Sequence, residues 1–435
     1  MLKTNTVCAS SRKVGGTMSN NQINSVSIEN QQVEPVSWID GLARKVLIDY
    51  LGKMSQASLT IYDQIGQVTL GNPDATLEAV VEIHNTQAYR KILFGGGIGA
   101  SEAYVAGLWT SPNLTKVIQV LGREQGVLDR VENSFSKIIQ FFDLLNHKRN
   151  KNTEHGSKKN ILAHYDLGNE MYKTFLDKEM LYSSAIYPHQ EANLEEAQLF
   201  KLQTICERLE LKPGETLLEI GTGWGALAIY AAQNYGVKVT TTTISDAQYE
   251  YAEQRVKQLG LEDSITLLKQ DYRTLEGQYD KLVSIEMIEA VGHEYLSTFF
   301  DVCSKHLKPE GKMLIQAITI SDQRYDKYRK SVDFIQRYIF PGGCLPSVSV
   351  MANKVAENTD MVITSLHDIG LDYAKTLNHW YQRFDKSAGE LKEMGYGDDF
   401  IRLWKFYLCY CEGGFLERKI STVHLVAAKP QHGVV

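Results

Sequence analysis

Leu217-Leu218-Glu219-Ile220-Gly221-Thr222-Gly223-Trp224-Gly225 is the stretch on which the fold turns. A short apolar run leads into an acidic residue and then three glycines at alternate positions, the pattern of a buried strand ending in a turn that cradles a nucleotide. A Cβ at those positions would hinder both the sharp passage from strand to helix and the close approach of a ligand to the backbone. The turn therefore marks a cofactor site. Taken alone, it also satisfies the dinucleotide form G-x-G-x-x-G/A through Gly221, Gly223 and Ala226.

A dinucleotide enzyme places an acid about 20 residues further on, at the end of the second strand, to hold a ribose hydroxyl. Here the next strand runs Val237-Lys238-Val239-Thr240-Thr241-Thr242-Thr243-Ile244-Ser245, after which Asp246 is expected to cap a helix, with Gln248 one turn inside it. The ribose would then be held by hydroxyls and an amide. An ExGxGxG turn followed by a Thr/Ser/Gln strand end resembles the S-adenosylmethionine (SAM) site of a class I methyltransferase. The competing structural reading is that the glycines only permit tight strand-helix packing.

From Gly214 onward strands and helices alternate, as in an α/β doubly wound parallel sheet. Strands are expected near 216–220, 237–243, 264–269, 280–286 and 311–319. Two more, near 362–368 and 420–428, fit the end of a seven-stranded methyltransferase sheet with one antiparallel strand. Residues 374–415 read as helical and aromatic. Ligands of such sheets bind outside the carboxyl ends of the strands, so Gly221, Ser245, Asp271 and the stretch from Glu286 to Glu289 should converge.

The 435 residues suffice for two or three domains, and a composition 43% hydrophobic and 23% charged is that of an ordinary globular protein. A formal net charge of −6 argues against general nucleic-acid binding, which needs a basic surface. No apolar run approaches about 18 residues, so no spanning helix is expected. Residues 1–35 are polar and lack the apolar core of a secretion signal; they read as a disordered leader in which Met18 is an alternative start. Six scattered cysteines without a signal peptide suggest a reducing cytosol, and Cys409-x-Cys411 without a second cluster predicts no metal site.

Between the leader and the large sheet, Trp38, Ile39, Leu42, Val46, Leu47, Tyr50 and Leu51 predict an amphipathic helix over 36–54. A hairpin is expected over 59–70 around Gln64-Ile65-Gly66, and a strand over 77–83. The glycine-rich segment 95–104 is too irregular for one element and reads as a turn that then enters a helix. Together these predict a small α+β domain over 36–145. Residues 146–160 are polar, basic and aperiodic, which makes them a linker before a domain over 161–430. Such a run is usually just solvated; the specific alternative is contact with anionic lipid headgroups, at about 1 kcal/mol per basic residue.

At this point five stretches, in order, identify a family. His164-Tyr165-Asp166-Leu167-Gly168-Asn169, Leu181-Tyr182-Ser183-Ser184-Ala185, Ser284-Ile285-Glu286-Met287-Ile288-Glu289, Tyr338-Ile339-Phe340-Pro341-Gly342-Gly343 and Cys411-Glu412-Gly413-Gly414-Phe415 resemble the cyclopropane-fatty-acid and mycolic acid cyclopropane synthases. The resemblance covers roughly residues 158–430, and the stretch from Gly99 to Trp109 resembles that family's smaller lipid-binding domain.

The resemblance implies SAM-dependent transfer of a methylene group to a cis double bond of an unsaturated phospholipid acyl chain. An alkene is a poor nucleophile, so activation consists of aligning it with the sulfonium methyl in a dry pocket. In this family the base that deprotonates the resulting carbocation is a bound bicarbonate ion. By the resemblance, Tyr165, Gly168, Tyr182 and Ser183 cover the methionine side of SAM above Gly221 and Gly223, with Glu219 behind the turn. Thr243 and Gln248 face the ribose, and Asp271 and Tyr272 lie near the adenine. Glu289, Tyr373 and Cys411 match the bicarbonate pocket. Glu286 competes with Glu289 for the carboxylate role; alignment with the family glutamate favours Glu289, and charge alone does not separate them.

Two departures matter. The family's usual cysteine in Y-S-C-A-Y is Ser184 here, and its usual bicarbonate-binding histidine is Gln316; Ala290 also replaces the histidine after the glutamate. A serine N–H and a glutamine amide still donate to an anion, but the histidine's charge and proton exchange are lost. The pocket is expected to hold bicarbonate more weakly, or to resolve the cation as a methyl or methylene branch instead of a ring. Two further classes stand behind this reading: methylation of a heteroatom on a small molecule, and a lipid-binding protein with a vestigial catalytic half. The resemblance also implies peripheral contact with the inner face of the cell membrane from the cytoplasm, and admits a homodimer whose interface the sequence does not reveal.

Overall fold

The computed structural model describes residues 37–127 and 168–433; the expected leader, the basic linker and Tyr165 lie outside the described residues. In the amino-terminal part, α1 (Trp38–Leu51) buries Ala43, Leu47 and Leu51 at helical spacing. β1 (Ser58–Asp63) and β2 (Gly66–Gly71) form the expected antiparallel hairpin, and β3 (Glu78–Ile83) joins β1 in parallel. α2 (Gln87–Val105) crosses to the short β4 (Trp109–Thr110), which completes a sheet of order β2-β1-β3-β4. α3 (Leu114–Arg123) follows, capped by the Asn113 side chain.

The glycine-rich segment departs from expectation. Helix runs on both sides of it, and the break is one residue, Gly96 (φ 54°, ψ −137°). Burial of Ala88, Tyr89 and Leu93 before the break and of Ser101 and Ala103 after it holds both arms helical despite the poor propensity of glycine.

The second part contains α4 (Asn169–Lys173), α5 (Leu194–Leu209), β5 (Thr216–Ile220), α6 (Ala226–Tyr235), β6 (Lys238–Thr242), α7 (Asp246–Gln258) and β7 (Ile265–Leu268). It continues through β8 (Tyr279–Ile285), α8 (Leu296–Lys305), β9 (Leu307–Ile320), α9 (Asp322–Tyr328), α10 (Phe334–Tyr338), α11 (Val348–Asn358) and β10 (Val362–Asp368). α12 (Gly370–Lys386), α13 (Ala388–Glu393), α14 (Asp398–Leu416) and β11 (Ile420–Ala428) complete it. The seven strands lie in the order β10-β11-β9-β8-β5-β6-β7, and β11 alone runs antiparallel to the others. The cap of α7 is Ser245, not Asp246: the serine hydroxyl accepts from the Gln248 N–H, while Asp246 sits in the first turn and pairs with Lys269. The shorter side chain on extended backbone reaches the amide, and the carboxylate complements the helix dipole.

Strand order reverses between β5 and β8, which opens a crevice at their carboxyl ends. One apolar cluster runs unbroken from Leu47 of α1 and Leu59 and Val81 of the amino-terminal sheet to Trp380, Trp404 and Phe415 of α12 and α14. Polar contacts reinforce the seam: Thr115 Oγ1 donates to Glu412 at 2.7 Å and Arg123 bridges to Glu417 at 2.8 Å.

Candidate active site

β5 delivers the glycine turn to the crevice. Gly221, Gly223 and Gly225 all have positive φ (102°, 53° and 86°), and the Gly221 and Thr222 N–H groups are tied to the Thr242 carbonyl at the end of β6. A Cβ on Gly225 would lie 3.1 Å from Ala252, so packing demands that glycine; one on Gly223 would meet nothing within 4 Å. Gly223 thus leaves backbone open to a ligand, which fits a bound SAM. Behind the turn Glu219 is buried, accepts from Thr241 Oγ1 at 2.6 Å, and through Thr241 is linked to Thr222 at 2.7 Å. Burial pushes its carboxyl up to about 8 against the Thr241 hydrogen bond.

Thr243 Oγ1 donates to Gln248 at 3.0 Å and accepts from the Ser245 N–H, so these polar groups gather at the end of β6. Asp271 caps the short turn Tyr272–Thr274 and pairs with Arg273, while Tyr272 packs edge-on against Phe299. Gly168 caps α4 at φ 83°, and Tyr182 bonds the Tyr407 hydroxyl at 2.9 Å.

At the end of β8 three of the residues nominated for an anion pocket, Ser184, Gln316 and Tyr373, come together around Glu286. Its carboxylate accepts from the Ser184 N–H at 2.9 Å, Gln316 Nε2 at 2.7 Å and the Tyr373 hydroxyl at 2.8 Å. Glu286 is also a non-glycine residue at φ 49°, a backbone conformation that costs of order 1–3 kcal/mol and persists only where surroundings impose it. Glu289 stands apart from this set: its Oε1 accepts from the Ile318 N–H at 2.5 Å, and its buried Oε2 has no hydrogen-bond partner. Burial, helped by the Glu286 charge, pushes Glu289 up to about 8. Burial raises Glu286 as well, but three donors and the nearby Lys201 ammonium oppose it. The three donors thus favour the charged form of Glu286, whereas Glu289, with a single backbone N–H as donor, is left with its neutral form favoured. Cys411 is half-buried on α14, where desolvation raises its thiol, and it acts electrostatically on the Tyr373 and Tyr407 phenols.

Three residues around this centre were not singled out from the sequence. Lys201, wholly buried on α5, donates to Ser183 Oγ at 2.8 Å; burial brings its ammonium down to about 8 against the pull of Glu286 and Asp177. Gln198, one turn earlier, holds the Leu181 and Ser183 carbonyls. The third is His424, opposite Gln316 in the β9-β11 register. Arg208 can only donate, so its 2.6 Å contact makes His424 Nδ1 the acceptor, and Nε2–H then donates to Gln316 Oε1 at 2.8 Å. That fixes the Gln316 amide with its NH₂ toward Glu286. The one available signal was polar residues on the apolar faces of α5 and β11. A cluster of Tyr172, Phe175, Tyr182, Trp380 and Trp404, with ring centroids 5.3–6.2 Å apart, meets this centre where the Trp380 ring stands 6.0 Å from that of Tyr373.

A doubly wound seven-stranded sheet with one antiparallel strand and a glycine turn at its switch point defines a class I SAM-dependent methyltransferase fold. The profile of the mycolic acid cyclopropane synthetase family matches residues 152–425, and the chain belongs to that family. It is 36% identical over 354 residues to the cyclopropane-fatty-acyl-phospholipid synthase of Escherichia coli, covering 81% of this chain and 88% of the relative. It is likewise 36% identical over 344 residues to a tuberculostearic acid methyltransferase of Mycobacterium tuberculosis, covering 77% and 79%. A mycolic acid cyclopropane synthase solved with SAH and CTAB superposes with a TM-score of 0.58 at 29% identity, over 62% of this chain and 98% of that one. The protein is accordingly a SAM-dependent methyltransferase of the cyclopropane-fatty-acyl-phospholipid synthase type.

Proposed function

We propose that this enzyme alkylates a cis double bond in an unsaturated phospholipid acyl chain, adding one carbon from SAM and releasing a proton. The observation that carries the reading is a half-buried carboxylate centre, Glu286 with Ser184, Gln316 and Tyr373, set beside a cluster of aromatic rings that Tyr373 joins through Trp380. Methylation of an amine or phenol needs no such centre; alkylation of an alkene needs a base and a wall that tolerates a cation.

When bound, SAM supplies an electrophilic methyl group on a sulfonium. The glycine turn would cradle it, with Thr243 and Gln248 toward the ribose, Asp271 and Tyr272 toward the adenine, and Tyr182 and Ser183 over the methionine end. The aromatic faces exclude water and stabilise positive charge on the alkene carbons, and the carboxylate centre takes up the proton. A cyclopropane ring is the first product; a methylene-branched isomer is the second, favoured by Gln316 standing in place of a titratable imidazole and by the tuberculostearic acid relative.

The amino-terminal sheet is proposed to gather lipid, docking from the cytoplasmic side without spanning. Trp38 and Leu42, 77% and 54% exposed and one turn apart on α1, suit insertion at a bilayer surface. Among the described residues no helix is long and apolar enough to cross a membrane. Expression in a host without this activity, with mass and proton NMR analysis of its acyl chains, tests the proposal. Unsaturated chains should convert to products one CH₂ heavier, with upfield ring protons or vinylidene protons naming the isomer. An unchanged lipid profile from a folded, SAH-binding protein would refute it. Trp38→Ala/Leu42→Ala should lower flotation with anionic vesicles while leaving SAH binding intact.

A further inference from the structure

Bicarbonate, which the family resemblance implies, does not fit this centre. The donors that would hold it are the Ser184 N–H, the Gln316 amide and the Tyr373 hydroxyl, and all three already serve Glu286. The remaining Gln316 N–H donates to the Ser184 carbonyl at 3.3 Å, and its Oε1 is occupied by His424. Glu286 already places a negative charge here, strong enough to raise the neighbouring Glu289 carboxyl, so a further anion would be repelled. The buried Lys201 ammonium nearby is directed at Ser183 Oγ, 2.8 Å away.

We propose that Glu286 itself replaces bicarbonate as the base of the reaction, making this enzyme independent of the ion. The inference rests on the lipid-alkylation reading above. A carboxylate has about four lone-pair sites. Oε1 accepts from Ser184 and Gln316, Oε2 accepts from Tyr373, and one site on Oε2 is left for a proton. Glu286 directly follows β8, and its neighbour Met287 lies against the glycine turn, 3.5 Å from the Cβ position of Gly221. The base is thus at the mouth of the cofactor turn. Its left-handed backbone is the cost of aiming that side chain into the donors.

The step balances without any further reactant. The alkene π pair forms a bond to the SAM methyl carbon while the S–C pair stays on sulfur, leaving a cation on the second alkene carbon. Glu286 Oε2 takes a proton from the added methyl. The released C–H pair closes the ring on the cationic carbon or, after a hydride moves to that carbon, forms an exocyclic double bond. SAH and one proton are the by-products.

The test uses the full chain, labelled SAM and vesicles of cis-monounsaturated phosphatidylglycerol, in buffers stripped of carbon dioxide and then supplied with bicarbonate. Wild-type turnover should change by less than about twofold, while Glu286→Gln should lose about 10²–10⁴-fold, the range of a general base. Glu286→Gly, which relieves the backbone and opens the donors, should be similarly slow but regain activity with added bicarbonate or formate. It should also broaden the NMR line of ¹³C-bicarbonate, which wild type leaves sharp. Thermal stabilisation by SAH confirms that each variant is folded. Lipid product that requires bicarbonate in the wild type, or a Glu286→Gln variant at full rate, overturns the base assignment alone. Absence of lipid product from the wild type at every bicarbonate concentration overturns the lipid reading and this assignment with it.

Discussion

Glu219 and Glu289 both carry carboxyls raised by burial from 4.5 to about 8, and that shift has a sign in the stability of the protein. Between those values the unfolded chain has released the protons and the folded chain retains them, so stability falls as pH rises, by about 1.4 kcal/mol per pH unit and group. Thermal unfolding should therefore show a higher Tm near pH 5.5 than near pH 8, and Glu219→Gln, permanently neutral, should shrink that difference. His424 makes a separate prediction. Without it the Gln316 amide loses the partner that orients its NH₂ toward Glu286. Steady-state kinetics of His424→Leu should show kcat down about tenfold, roughly the worth of one buried hydrogen bond, with KM for SAM unchanged. His424→Asn, which keeps a donor, should recover part of the loss. Glu219, Glu286, Glu289 and Gln316 were nominated from the sequence, through the glycine turn and the family motifs; His424, Lys201 and Arg208 carry no local motif.

Elements were read more readily than side-chain partners, because a strand or helix announces itself by its own periodicity. All seven strands of the large sheet lie within a few residues of their expected places, and α12 to α14 occupy the expected helical region. The misreadings were local competitions that tertiary packing settled, as at Gly96, where buried residues on both arms outweigh four glycines. Close approach of elements is legible only after folding. A Cβ on Gly413 of α14 would stand 2.7 Å from Ile118 Cγ2 and 3.3 Å from the Thr115 carbonyl of α3. Gly413→Ala should thus destabilise by about 1–3 kcal/mol of overpacking, less up to about 1 kcal/mol of helix propensity. Calorimetry should show Ile118→Ala partly restoring Tm in that background, a coupling that independent sites would not show.

For the whole molecule, the continuous core between the amino-terminal sheet and the α12-α14 layer predicts mutual dependence. Deleting residues 37–127 would bare the faces of α14 that pack on α2 and α3 and strand Glu412 and Glu417 without Thr115 and Arg123. The truncated chain should be insoluble or lack near-UV dichroism; a soluble, SAH-binding fragment would show that the catalytic part folds alone.

The sequence by itself determined the class of this protein. A glycine turn after an apolar strand, an amide-bearing second strand end and five ordered motifs are local features, and each needs only neighbours along the chain to be recognised. The tertiary structure alone decided which carboxylate gathers the donors. Ser184, Glu286, Gln316, Tyr373 and His424 are spread over some 240 residues, and strand order and register bring them together. Glu286 and Glu289 are indistinguishable as residue types three positions apart. They differ because one meets three donors, from a loop, a neighbouring strand and a helix, and the other meets a single backbone N–H.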